Sequence, residues 1–385
     1  MKIGIDARLY GTKHRGIGRY SQKLIEFLEK IDQENQYVIF MQKDSIKEYQ
    51  PKNKNFKKVL ANYRVYSWQE QLLLPLKFYW HRLNLVHFTH FNVSFLYRKK
   101  RIITIHDLII SHYPDSRATT LPPFMYKLKL FFYNLLVNSS ARSAQKIIAV
   151  SKYTKEDIVK TLKVDEKKIE VIYEGVDFPD VGSAGADELL QGLGITKKFF
   201  LYVGAAYPHK NLEKLVLAFQ KLYRQRQDCQ LVLVGKMNFF YQRLKKFIEK
   251  GEQLAGGNSV DKESVRDIIL TDYLSDEELV SLYKKARVYV FPSLIEGFGL
   301  PPLEAQHYGL AVISSKNTCL PEVLGDSAIY FDPQSIDDMS AKMLATVDNE
   351  QIKQELVAKG YENLKKYSWQ AAASQTHDIY LGFKK

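Results

Sequence analysis

The chain has 385 residues, 45% of them hydrophobic and 26% charged, which is ordinary globular usage and enough length for two domains. The net charge of +13 is carried entirely by residues 1–180, where 31 Lys and Arg stand against 18 Asp and Glu. Two isolated cysteines, Cys229 and Cys319, exclude a disulfide framework and a cysteine-based zinc site, and no run of ~18 apolar residues reads as a transmembrane helix.

In chain order, residues 2–7, 37–41, 58–61, 85–88, 102–106, 146–150 and 169–172 read as strands. Several are unbroken Val/Ile/Leu runs, the pattern of a parallel sheet covered on both faces. The opening strand lacks the long apolar stretch of a signal peptide, so a cytoplasmic location is expected. Residues 51–101 hold 11 basic residues and one acid, Glu70. Such a one-sided field suits an anionic partner. Residues 177–196 contain a Gly/Ala/Pro-bearing linker. The plan then repeats, with strands expected at 200–204, 230–235, 268–270, 288–291, 311–314 and 329–331. A helix is expected over 211–223, where Leu212, Leu215, Val216 and Phe219 share a face. Residues 367–383 read as an amphipathic helix that crosses back onto the first domain. Strand–helix alternation in both halves implies α/β architecture with two doubly wound, Rossmann-like domains, over 1–180 and 181–366.

Four segments carry the chemistry. Gly11-Thr-Lys-His-Arg-Gly16-Ile-Gly18 follows the first strand. It is not a dinucleotide fingerprint, and it reads as a flexible glycine loop with Gly16 near phosphate or sugar. His106-Asp107 ends a strand at the edge where α/β ligands bind, where His106 can meet a sugar hydroxyl or simply be buried against backbone. Tyr207-Pro-His-Lys210-Asn211 follows the first strand of the second half; Asn211 is expected to cap the next helix and Lys210 to face a diphosphate there. The sharpest signal is Glu296-Gly-Phe-Gly-Leu-Pro-Pro-Leu-Glu304. Its glycines permit close backbone approach, its proline pair sets a helix start expected to run 303–308, and its two carboxylates suit sugar and ribose hydroxyls. No Asp-x-Asp occurs, so no metal is expected, and Lys210 with helix N-termini must neutralise a diphosphate instead.

On these residues the chain resembles the family-4 glycosyltransferases over nearly all its length, the Glu-x7-Glu element being the most specific match. Tyr367-Ser-Trp369 also looks like that family's closing helix. The resemblance implies a GT-B fold of two facing Rossmann-like domains with an inter-domain cleft. It implies an N-terminal acceptor domain, joined by the helix at about 367–385, and a C-terminal nucleotide-sugar domain. It implies that Glu296 contacts the donor hexose, that the amides of Gly297, Phe298, Gly299 and Leu300 face sugar and phosphate, and that Glu304 holds the ribose. Lys210 binds the diphosphate, Gly16 closes over it, and His106 lies beside the reacting sugar. The implied reaction is retaining hexosyl transfer, with no cofactor or metal beyond the nucleotide sugar. The family's usual Arg partner of Lys210 is replaced by Ala205 and Ala206, so either Arg15 or Lys236 substitutes or diphosphate binding is weaker.

Gly-Ile-Gly-Arg-Tyr20 and Tyr-Pro-His-Lys-Asn211 look similar to bacterial mannosyltransferases of polysaccharide assembly, which makes GDP-mannose the favoured donor ahead of UDP-sugars. Aromatic and basic residues meet at 78–82, 95–101 and 124–137, suiting peripheral contact with an anionic membrane and a glycan or lipid-linked glycan acceptor. A helix apolar all round over 124–137 would equally suit a buried position. The competing classes are a non-catalytic partner subunit of the same fold, a GT-B epimerase, and nucleic-acid binding, for which no motif is present.

Overall fold

The structure, a computed structural model, describes all residues except 12–14, 116, 118, 120, 179–184, 251–261 and 385. The chain divides into two compact units. The first comprises Met1–Pro114, Leu121–Gly175 and Tyr367–Lys385; the second comprises Asp115–Thr120 and Val176–Lys366.

The first unit is built on seven parallel strands: β1 (Lys2–Asp6), β2 (Gln36–Met41), β3 (Phe56–Leu60), β4 (Leu85–Phe88), β5 (Arg101–Ile105), β6 (Lys146–Ala149) and β7 (Ile169–Val171), in the order β3-β2-β1-β4-β5-β6-β7. The second holds six: β8 (Lys198–Val203), β9 (Cys229–Val234), β10 (Ile268–Thr271), β11 (Val288–Phe291), β12 (Val312–Ser315) and β13 (Ala328–Phe331), in the order β10-β9-β8-β11-β12-β13. All thirteen expected strands are present, each within two residues of its predicted bounds. Central strands are buried from end to end; β5, β9 and β11 expose nothing, as helices on both faces require.

In both sheets the chain leaves the first strand to one side and returns to the other. The switch points therefore lie between β1 and β4 and between β8 and β11, at their C-terminal ends. There the loops splay apart and leave a crevice for ligand.

Among the helices that cover the two sheets are α1 (Arg15–Ile31), α2 (Trp68–Trp80), α3 (Pro123–Ser143), α4 (Leu212–Tyr223), α5 (Leu300–His307) and α6 (Trp369–Leu381). Helix α6, N-capped by Ser368, packs on the first unit. Trp369 meets Tyr20 of α1 edge-on at 5.8 Å, and the Tyr380 hydroxyl lies 2.6 Å from Nδ1 of the fully buried His87. Among the described residues no helix is long and apolar enough to cross a membrane. Helix α3 is not buried all round. It inserts Tyr133, Leu136 and Val137 into the core and leaves Phe124, Leu128, Phe131 and Leu135 exposed.

Candidate functional site

In the second unit the site grows from the ends of β8 and β11. After β8 the chain runs into a single 3-10 turn, Pro208–Lys210. The Leu294 amide donates to the His209 carbonyl at 2.8 Å and pins that turn to the loop after β11. Asn211 does begin α4, but it does not cap it with its side chain. Its backbone is left-handed, at φ +62°, and its buried Nδ2 donates to the carbonyls of Pro292 (3.1 Å) and Pro333 (2.8 Å). It therefore ties three loops together, a structural use of an amide that has two donors to place.

This bracing brings together two residues that lie 86 positions apart. Lys210 Nζ stands 2.5 Å from Glu296 Oε1, with both side chains largely buried. The Glu296 amide donates to the Thr318 hydroxyl at 3.2 Å. The buried Cys319 thiol donates to the carbonyls of Glu296 (3.3 Å) and Phe298 (3.2 Å). Burial holds that thiol well above its ordinary pKa, so it stays protonated and serves as a donor. Neighbouring His209 is pushed down to about 4 by burial and by the charge of Lys210, so it is neutral at physiological pH.

Gly299, at φ +97°, turns the loop into α5; a Cβ there would lie 2.8 Å from Leu320 Cδ2. The helix starts at Leu300, three residues earlier than its expected start at 303. Both prolines sit in the first turn, where a missing N–H is not lost from the helix ladder. Pro301 and Pro302 consequently offer no donor, and the first-turn amides that remain are those of Leu300 and Leu303. Glu304, one turn further on, is half-buried and accepts the Tyr283 hydroxyl at 3.1 Å. Lys236, after β9, is exposed; the side chain of Arg15 lies outside the described residues.

The first unit gathers a second set of polar groups at the C-terminal edge of its sheet. Gly16 is not in a loop: it lies exposed in the first turn of α1, with nothing within 4 Å of where a Cβ would be. Residues 12–14 of the expected glycine loop lie outside the described residues. His106 is buried at the end of β5, with Nδ1 2.9 Å from Glu174 and Nε2 3.0 Å from the Thr89 carbonyl. Buried Arg8 grips Asp6 through Nε and Nη2 and reaches Glu70, which Asn92 also donates to at 2.6 Å. Sequence reasoning missed Arg8, Glu70, Asn92, Glu174, Thr318 and Cys319 as partners. For Glu174 a signal existed, since it follows β7 at the same ligand edge that singled out His106. No cluster of three or more His, Cys, Asp or Glu suited to a metal ion occurs among the described residues.

Residues 14–178 match the family model described as Glycosyltransferase Family 4, and residues 187–363 match that described as Glycosyl transferases group 1. The chain is 27% identical over 382 residues to the O-antigen chain mannosyltransferase B of Escherichia coli, covering 95% of each protein. It is 30% identical over 269 residues to the O-antigen chain mannosyltransferase RfbU of Salmonella typhimurium, covering 70% of this chain and 66% of that one. Its fold is similar to that of the sucrose-phosphate synthase from Thermosynechococcus elongatus, with TM-score 0.73, 16% identity and coverage of 99% and 98%.

Proposed function

This chain belongs to glycosyltransferase family 4 and has the GT-B fold, and from that premise we propose that it moves a mannosyl group from GDP-mannose to a glycan or lipid-linked glycan hydroxyl. The product belongs to a cell-surface polysaccharide, the anomeric configuration is retained, and no metal takes part. The observation that carries this reading is the Lys210–Glu296 pair, held at the switch point of the second sheet beside the start of α5. The mannosyl choice is supported by the relatives, which are O-antigen mannosyltransferases.

Each residue has a chemical task in this reading. Lys210 and Glu296 neutralise each other at 2.5 Å. An arriving diphosphate draws the Lys210 ammonium and the amides at the start of α5, which suit phosphate. Glu296, released from Lys210, accepts a hydroxyl of the hexose, and Glu304 accepts the ribose hydroxyls. In transfer, the bond from the anomeric carbon to the diphosphate breaks and the bond to the acceptor oxygen forms. The acceptor proton leaves with the diphosphate. The protein supplies position and charge, and needs no nucleophile of its own.

Thermal-shift measurements with GDP, UDP, ADP and dTDP test the donor. GDP should stabilise the wild type by about 2.7 kcal/mol at a hundredfold excess over Kd, and Glu304→Ala should abolish the shift. Stabilisation by UDP alone would replace the donor; no shift with any nucleotide would favour the non-catalytic partner.

The acceptor side includes an anionic membrane surface. Helix α2 exposes Trp68, Leu72, Leu76 and Trp80, and α3 exposes Phe124, Phe131 and Leu135; Trp80 is 79% and Phe124 76% exposed. Lys77, Lys127 and Lys129 lie on the same helices, and their only acid, Glu70, is fully buried. Exposed aromatics among lysines without exposed acids suit an anionic interface. Flotation should recover the protein with phosphatidylglycerol vesicles at low salt and lose it at 0.5 M salt or with Trp80→Ser and Phe124→Ser. Equal recovery with neutral vesicles, or none, would remove the anionic surface from the proposal.

A further inference from the structure

With Glu174 as the anion, His106 can satisfy its surroundings in one way. Nδ1 faces a Glu174 oxygen and Nε2 faces the Thr89 carbonyl oxygen. A backbone carbonyl has no proton to give, and an ionised carboxylate only accepts. An imidazole between two acceptors must carry a proton on each nitrogen, and is then a cation. Burial opposes that charge; the hydrogen bond and the negative charge of Glu174 overcome it and raise the His106 pKa above its ordinary value. Glu174 is itself only 4% exposed, so little water screens the pair.

The groups around it fit one fixed cation. Tyr20 of α1 stands edge-on at 4.7 Å, its hydroxyl 3.1 Å from Thr104 Oγ1. Asp107 follows in the chain and adds to the upward shift. His87 in β4 and His90 just beyond it are both pushed down to about 3, first by burial and then by the charge of His106; Arg8 adds to the effect at His90. The Thr154 hydroxyl donates to the His106 carbonyl at 3.4 Å. One charged imidazole thus stands beside two neutral ones at the ligand edge of the first sheet.

We propose that Glu174 is a positioning residue for the transfer reaction: it holds His106 as a doubly donating cation, so His106 serves as a fixed charge and does not take the acceptor's proton. This rests on the reading of His106 as a site residue of the transferase.

The test joins histidine-selective nitrogen NMR to pH–rate profiles of the full chain, for wild type, Glu174→Gln and Glu174→Asp. Wild-type His106 should show two protonated nitrogens through pH 7. Glu174→Gln removes the charge but keeps the shape. With burial then dominant, one nitrogen should lose its proton below pH 6.5, and the alkaline limb of kcat/KM should move to lower pH by about one unit or more. The sign follows from the raised pKa: the active cation is present below it and lost as pH rises through it. Glu174→Asp should restore part of the shift. A purely structural role would lower activity equally at every pH. A single protonated nitrogen in the wild type at pH 7 overturns the proposal, as does a Glu174→Gln profile parallel to that of the wild type. If the wild type transferred no sugar at any pH, the transferase reading would fail as well; an unchanged profile with a doubly protonated ring sinks this role alone.

Discussion

Lys210→Met should lower kcat by ~10²–10³-fold and also destabilise the second unit by ~3 kcal/mol, because one ammonium serves both purposes. In the proposed reaction the leaving diphosphate gains charge as the glycosidic bond breaks, and Lys210 is the side chain placed to meet it. The same ammonium is the partner of Glu296, which is 8% exposed. Removing it strands a buried carboxylate, which is where most of the destabilisation arises. Glu296→Gln combined with Lys210→Met should recover most of the stability, since an uncharged pair leaves no orphaned ion, but none of the rate. Urea unfolding and steady-state rates on the two single variants and the double variant decide the matter. Recovery of both properties together would mean that the pair is structural and that Lys210 has no part in the chemistry.

Gly175→Ala should be the most destabilising single methyl added to the first unit. A Cβ at this position would lie 2.2 Å from the Trp369 amide nitrogen and 2.6 Å from its Cα. Those are backbone atoms at the start of α6, so no rotamer change relieves the clash; the helix itself must move. Its movement would disturb the Trp369–Tyr20 contact and the Tyr380–His87 hydrogen bond, both inside the core. Overpacking of this kind costs about 3 kcal/mol, which lowers Tm by on the order of 10 °C in a unit of this size. Gly16→Ala serves as the control: its methyl meets nothing within 4 Å and should change Tm by less than about 1 °C. A Gly175→Ala melt equal to the control would show that α6 does not seat against Gly175.

The strands were legible because a strand in a covered parallel sheet must be apolar from end to end, and runs such as Leu231-Val-Leu-Val234 are bounded by polar or glycine residues that cannot continue them. The rule that ligands gather at the C-terminal ends of such strands singled out His106 and Lys210 from their places in the chain, and the glycine and proline pattern before a helix start singled out Glu296. The sequence could not supply the partners. Lys210 meets Glu296 across 86 residues, and His106 meets Glu174 across 68. Such distances have no period and no local propensity. They follow only from strand order, which sets which loop ends lie side by side. The same holds for Asn211, whose local cue was a helix cap and whose amide goes instead to Pro292 and Pro333. Glu70 stood out in the sequence only as the one acid in a basic stretch; the fold draws it inward onto Arg8 and Asn92. Whether the apolar α3 would be enclosed was likewise decided by packing. Hydrophobicity states what a helix can bury, while the neighbours available decide how much of it is covered, and here one face of α3 has none. The sequence by itself determined the class of fold, the strand inventory and the sheet edges on which the candidate residues stand; only the tertiary structure decided which charges meet there, because pairing is a property of topology rather than of pattern.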